Sequence, residues 1–304
     1  METVVIDGDN LTLEMVKAVS LGSIEASLSS DSRERMQASR KAVEDILDSG
    51  EVVYGINTGF GALSSVRIED GQLEELQSNL VRSHACGIGE TMDPELVLMM
   101  MTIRANSLAK GVSGIRPSVV DTLLGMVNSR IAPSIPRIGS LGASGDLAPL
   151  SHMTMGMMGE GECLVEVAGK WVSKDSRTAL EEAGLEPVKL QAKEGLSLIN
   201  GTSQMCAYLT QTVLNMEILC LTADASIACS VEAIRGSHKP FDRRVHVSRP
   251  QVGQSISAAR ISSFLSQSNI EISHENCERV QDAYSFRCAP QVHGPVVDLT
   301  RETR

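Results

Sequence analysis

The sequence predicts a mainly α protein, with an N-terminal mixed loop-and-helix domain over residues 1–190 followed by the first part of a long-helix bundle over 191–304. Three observations carry that expectation. Hydrophobic residues make up 42% of the 304-residue chain but aromatics only 3%, so the core must be built from Ala, Leu, Ile, Val and 14 Met, which suits helices better than an aromatic-rich β sandwich. Apolar residues recur at helical spacing through much of the chain. Between Gly201 and Gly236 there is neither Gly nor Pro, and the run reads as one helix about 50 Å long.

The elements follow in order. Residues 1–8 alternate enough for a short strand, and 11–19 and 32–49 read as helices, the second closed by Gly50. Residues 51–66, with three Gly among polar groups around Tyr54, read as an ordered loop. From Ile68 the period turns helical, with Leu73, Leu76, Leu80 and His84 on one stripe. Asp93 is an N-cap followed by Pro94 at the first helical position, and Gly111 closes that helix. Its interior, Leu96 to Ile103, is apolar on every side and therefore expected to be buried. A helix over 118–130 leads into a Pro/Gly/Ser loop over 131–146, where Asp146 can cap a Met-rich helix. A hairpin over 162–173 turns at Ala168-Gly169-Lys170, and a short helix covers 175–183. After the long helix come another at 251–267 and a last one starting near His293.

Composition also excludes function classes. With 27 basic against 38 acidic residues the net charge is −11, which argues against nucleic acid or an anionic membrane as partner. No apolar stretch is expected to reach the roughly 20 residues of a membrane span. The seven Cys are odd in number and scattered, as free thiols in a reducing cytoplasm would be. Neither they nor His152, His238, His246, His274 and His293 show metal-ligand spacing, so no metal site is expected.

Three segments could carry chemistry. Gly139-Ser140-Leu141-Gly142-Ala143-Ser144-Gly145-Asp146 reads as a turn before a helix cap; as a phosphate cradle it lacks the Lys-Ser/Thr of a P-loop, and as a serine-hydrolase elbow its spacing is wrong. A further reading is covalent. In Ala143-Ser144-Gly145 the Gly nitrogen, with no β-carbon beside it, can approach the Ala carbonyl, and ring closure with loss of water from Ser144 would give a methylidene-imidazolone electrophile. Tyr54 is either a core phenol or one held near substrate by its Gly-rich loop and Asn57. Gln281, Tyr284 and Arg287, three apart, either form a solvated face or clamp a carboxylate. His84 on its apolar stripe reads by itself as a structural histidine.

The order of motifs resembles the aromatic amino-acid ammonia-lyase family over essentially the whole chain. The segments that carry the resemblance are Tyr54 to Gly61, Gly142 to Leu150, Glu194-Gly195-Leu196 through Asn200-Gly201-Thr202, and Gln281 to Pro290. It implies that Ala143, Ser144 and Gly145 cyclise by themselves into the electrophile, with no external cofactor. Tyr54 is implied as the base for the β-proton, Asn200 as a holder of the electrophile and the substrate carboxylate, and Tyr284 as support for the electrophile and the departing amine. Arg287 is implied to bind the carboxylate and Gln281 to place the substrate. Ser83-His84 resembles the pair that reads an imidazole in members acting on histidine. The implied reaction is non-oxidative deamination of L-histidine to urocanate and ammonia in a cytoplasmic homotetramer. A tyrosine ammonia-lyase or aminomutase of the same family is the alternative, and a non-catalytic fragment that only packs helices against a partner is another. Family members continue well beyond Arg304, so the bundle is expected to be truncated.

Overall fold

The computed structural model describes residues 2–61, 64, 66–274 and 278–304. They fall into two units, Met1–Leu209 and Thr210–Arg304, so the first includes residues 191–209.

In the first unit, strand β1 (Thr3–Ile6) pairs in parallel with β2 (Glu25–Leu28), Thr3 opposite Glu25, around helix α1 (Leu13–Ser20). The sequence reading contains no β2: a four-residue strand with one buried Ala has too little periodicity to register. Helix α2 (Ser30–Ser49) is capped by the Ser29 hydroxyl and ends at Gly50 in the left-handed region, as expected. Helix α3 (Leu73–His84) precedes a short strand β3 (Ile88–Thr91). Helix α4 (Pro94–Ala109) starts as foreseen, with the Asp93 carboxylate accepting from the Glu95 amide at 2.9 Å. Leu98, Met99, Met100 and Met101 are each 0% exposed, so every side of this helix faces protein, and each fully buried side chain contributes about 2 kcal/mol. Helix α5 (Pro117–Asn128) and α1 pack against it.

The stretch read as an irregular loop after α5 instead holds two strands, β4 (Ile131–Pro133) and β5 (Pro136–Ile138). β5 pairs antiparallel with β3, and β4 with β6 (Glu162–Val167), which forms the expected hairpin with β7 (Lys170–Asp175). Proline punctuates both strands and hides them from a propensity reading, because what makes them strands is pairing with residues far away in the chain. Helix α6 (Leu147–Met157), α7 (Ser176–Glu182) and α8 (Glu194–Ile199) complete the unit together with the first turns of α9 (Ser203–Ala233).

In the second unit the rest of α9 is joined by α10 (Arg243–Val247), α11 (Val252–Phe264), α12 (Asn269–Ser273), α13 (Tyr284–Arg287) and α14 (Ala289–Thr303). Helix α14 begins four residues before the expected His293, because Pro290 occupies its first turn, where a missing N–H costs nothing. Ala228, Val231, Phe241, Ile261, Leu265 and Ala289 form its apolar cluster. Beside them the fully buried Asp224 carboxylate accepts from the Ser257 hydroxyl at 2.5 Å and from His293 Nδ1 at 2.8 Å. Contrary to the expectation from sequence, residues Glu194–Ala233 are, by length and composition alone, long and apolar enough to cross a membrane. The buried Asp224 and its polar contacts lie within that stretch. Six Cys are free thiols, and Cys277 lies outside the described residues.

Candidate active site

The Ala143-Ser144-Gly145 segment lies on the connection from β5 to α6, with Ala143 and Ser144 exposed. Gly145 has φ +100°, and a β-carbon there would overlap the Gly201 carbonyl oxygen and lie 2.9 Å from the Gly201 nitrogen. Only glycine fits, for conformation and for space. The Asp146 amide donates to that same Gly201 oxygen at 2.6 Å. The turn at Asn200-Gly201 is therefore the floor on which the Gly145 backbone rests.

Asp146 corrects the sequence reading. It occupies the residue before α6 but caps nothing there, since its φ of −93° and ψ of 54° are not those of an extended capping residue. Its fully buried carboxylate accepts instead from the amides of Gln204 at 2.9 Å and Met205 at 3.0 Å at the start of α9, and from the Ser140 hydroxyl at 2.7 Å. Three donors compensate for burying the charge.

Arg104 lies beneath Gly201. Its Nη2 donates to the Ser197 carbonyl and, at 2.9 Å, to the Asn200 carbonyl. A β-carbon on Gly201 would overlap Nη1. The guanidinium is 4% exposed, its Nε has no hydrogen-bond partner, and burial with no opposing carboxylate among the described residues pushes its pKa down to about 10. The sequence reading passed over this residue. The signal was available: one Arg follows directly on the apolar run Leu96–Ile103 of α4.

Tyr54 is 59% exposed and meets Phe60 edge-on, ring centroids 6.2 Å apart. Its loop is braced from within. The buried Asn57 side chain accepts from the Val53 amide at 2.8 Å and donates to the Glu51 carbonyl at 2.7 Å, so Asn57 shapes the turn that presents the phenol. A β-carbon on Gly55 would lie 3.0 Å from Leu196 Cδ2, which places the loop against α8, the helix that ends at Asn200. The Asn200 side chain is exposed.

His84 ends α3. Its Nδ1 donates to the Leu80 carbonyl at 2.9 Å, and the Ser83 hydroxyl lies 3.1 Å away. A proton held at Nδ1 leaves Nε2 as an acceptor. Just beyond, the Gly87 amide donates at 3.2 Å to Nε2 of His152 on α6, and burial lowers the His152 pKa. A β-carbon on Gly139 would lie 3.1 Å from Gly87 Cα. The chain after His84 thus abuts the start of the electrophile segment, a link His152 strengthens and the sequence reading did not foresee.

In the second unit the structure brings Tyr284 and Arg287 together on α13, the Arg287 guanidinium carbon lying 5.0 Å from the centre of the Tyr284 ring. Arg287 Nε also donates to the Asp282 carbonyl at 3.3 Å. Gln281 lies before the helix, exposed, in a cavity of about 510 Å³ with Arg235, Lys239 and Arg279.

Residues 143–145 fit the ring that the sequence reading attaches to them. Gly145 holds a left-handed backbone conformation that only glycine adopts freely, and Ser144 is exposed. Comparison with known proteins agrees on family. A family described as Aromatic amino acid lyase matches residues 11–304. A histidine ammonia-lyase of Anaeromyxobacter sp. (strain K) is 46% identical over 303 residues, covering 98% of this chain and 60% of its own. The crystal structure of histidine ammonia-lyase from Trypanosoma cruzi superposes with a TM-score of 0.88 at 37% identity, covering 99% of this chain and 55% of that one. Tyrosine aminomutase from Streptomyces globisporus gives 0.88 at 35% identity, covering 98% and 59%. The chain thus spans about 60% of the length of the curated relatives it matches.

Proposed function

The chain belongs to the aromatic amino acid lyase family, and from that membership we propose that it deaminates L-histidine non-oxidatively to urocanate and ammonia. The observation that carries the reading is the Gly145 backbone seated on Gly201, which makes Ala143-Ser144-Gly145 a substrate for its own cyclisation. The resulting methylidene-imidazolone, with no external cofactor, supplies an electrophile for the substrate amine.

The chain's own residues supply the remainder. The Tyr54 phenol, presented by the Asn57-braced loop, takes the β-proton. The Nε2 acceptor of His84 receives the imidazole N–H of the substrate, a bond that a phenyl side chain leaves unmade. Arg287, oriented by the Tyr284 ring, pairs with the substrate carboxylate, Gln281 places the substrate, Asn200 holds carboxylate and ring, and Tyr284 attends the departing amine. The catalytic assembly is a homotetramer in the cytoplasm. The free thiols support that compartment, and exposed apolar side chains on α9, Ile218 and Leu219 among them, support association.

Mixing the chain with L-histidine should raise the ultraviolet absorbance of urocanate, and Ser144→Ala should abolish the rise. Turnover of L-tyrosine with none of L-histidine would overturn the substrate assignment. That outcome is the second reading, favoured by the likeness to a tyrosine aminomutase, and product analysis separates lyase from mutase. Failure to turn over any aromatic amino acid, with residues 143–145 uncyclised, leaves the non-catalytic helix-packing fragment.

A further inference from the structure

We infer that Arg104 is a positioning residue for closure of the Ala143-Ser144-Gly145 ring, acting through the Asn200-Gly201 turn; the inference rests on the cyclisation reading above. In closure the Gly145 nitrogen bonds to the Ala143 carbonyl carbon. The Ala143 oxygen leaves as water with the amide protons of Gly145 and Ser144, and the Ser144 hydroxyl leaves as a second water with the Ser144 α-proton. Two waters depart and nothing is oxidised or reduced. The chemistry needs no outside reagent, so what limits it is how closely and for how long the nitrogen is held against the carbonyl.

The structure supplies that hold as a stack of three layers. The upper layer is Gly145, which has no room for a β-carbon above the Gly201 carbonyl, with the Asp146 amide bonded to the same oxygen at 2.6 Å. The middle layer is Gly201 itself, with no room for a β-carbon on its other side. The lower layer is the Arg104 guanidinium, which fills that side and donates to the Ser197 and Asn200 carbonyls, gathering the end of α8 and the turn into one rigid piece. Two glycines in register, each excluded from carrying a side chain by the next layer, are a costly arrangement that a plain loop does not need. A buried cation with Nε unpartnered is costlier still. Both are explained if the pressure of Arg104 on the turn is what presses Gly201 against Gly145. Arg suits the task and Lys does not, because Nη2 serves both carbonyls while Nη1 fills the space against Gly201, two places that a single ammonium does not occupy at once.

The test is the intact mass of the folded, soluble fraction of the chain after equal times of expression, for wild type, Arg104→Gln, Arg104→Lys and Gly201→Ala. Wild type should be lighter than its sequence by two waters. Arg104→Gln should close its ring on the order of 100-fold more slowly and be recovered at the uncyclised mass, and Arg104→Lys should recover only part of the deficit. Gly201→Ala keeps the Arg but displaces it, and should match Arg104→Gln. Where Arg104→Gln yields no folded protein, Arg104→Lys and Gly201→Ala decide. A role confined to stability would lower the yield of folded chain and leave its mass deficit intact, so a folded variant lighter by two waters to the same extent as wild type overturns the inference. Wild type at the uncyclised mass overturns the cyclisation reading itself.

Discussion

The Asp146 carboxylate accepts the Gln204 amide at 2.9 Å, so the residue that closes the electrophile segment caps a helix 58 positions further along the chain. That bond, with its companion to Met205, ties the Gly-rich loop before α6 to the start of the long helix α9. Asp146→Ala should strand two helix amides and the Ser140 hydroxyl in a buried place and lower stability by about 2–3 kcal/mol, whereas Asp146→Asn, which still accepts, should lose about 1 kcal/mol. Urea unfolding followed by far-ultraviolet circular dichroism checks both, and equal losses in the two variants would refute the capping role.

Arg116 and Glu194 form the second tie near α8. The Glu194 carboxylate is 0% exposed and receives Arg116 Nε and Nη2 at 2.7 Å each, with the Gln191 amide at 2.8 Å. The carboxylate in turn raises the Arg116 pKa. Arg116→Ala leaves that charge buried and partly unpaired and should cost about 3 kcal/mol, while Glu194→Gln should cost less because the guanidinium it leaves unpaired is partly open to solvent. A denaturant midpoint for Arg116→Ala within error of wild type would show the pair to be dispensable.

The second unit depends on contact between two glycines. A β-carbon on Gly294 would lie 2.6 Å from the Gln254 nitrogen, and one on Gly253 would overlap the Gly294 carbonyl oxygen. Either Ala substitution should push α11 and α14 apart at a cost of about 1–3 kcal/mol. The double substitution should cost less than the sum, because once separated the helices accommodate the second methyl. Thermal melts of the two single variants and the double variant measure the coupling, and strict additivity would argue against a shared contact.

Stability should also depend on pH through His152. Its Nε2 accepts a hydrogen bond from Gly87, so the fold holds it neutral, and burial lowers its pKa below the ordinary 6.5. The unfolded chain therefore binds the proton more readily. The stabilisation is complete above pH 6.5 and is lost as the pH falls below that value and through the lowered folded pKa. Unfolding midpoints measured between about pH 8 and pH 5 should fall more steeply for wild type than for His152→Asn, which does not titrate there. Parallel profiles would assign the acid sensitivity to other groups.

Much of the fold is legible in the sequence because the controlling signals are local. Asp93-Pro94 starts α4 and Gly50 ends α2 through bonds to residues within a turn, and the absence of Gly and Pro after Gly201 marks α9 directly. The strands around Pro133 and Pro136 and the capping target of Asp146 are not legible, since each is defined by a partner at least 30 residues away. The Ala143-Ser144-Gly145 segment stands out because the chemistry proposed for it needs only three adjacent residues. Its support does not: Arg104 follows an apolar run where spacing announces only a buried helix, and only the fold brings it beneath Gly201.

The methionine-rich core has a consequence for the lifetime of the protein in air. Met36, Met92, Met99, Met100, Met101, Met126, Met153 and Met157 are all at most 1% exposed, while Met15 and Met205 are 37% and 40% exposed. Oxidant reaches the latter pair at once, and Met205 lies directly alongside Gly142. The interior thioethers react only when the first unit opens, and a sulfoxide formed there is a polar group that the closed core has no means to solvate. Each opening in the presence of peroxide therefore becomes irreversible, and the molecule ages at a rate set by its own breathing.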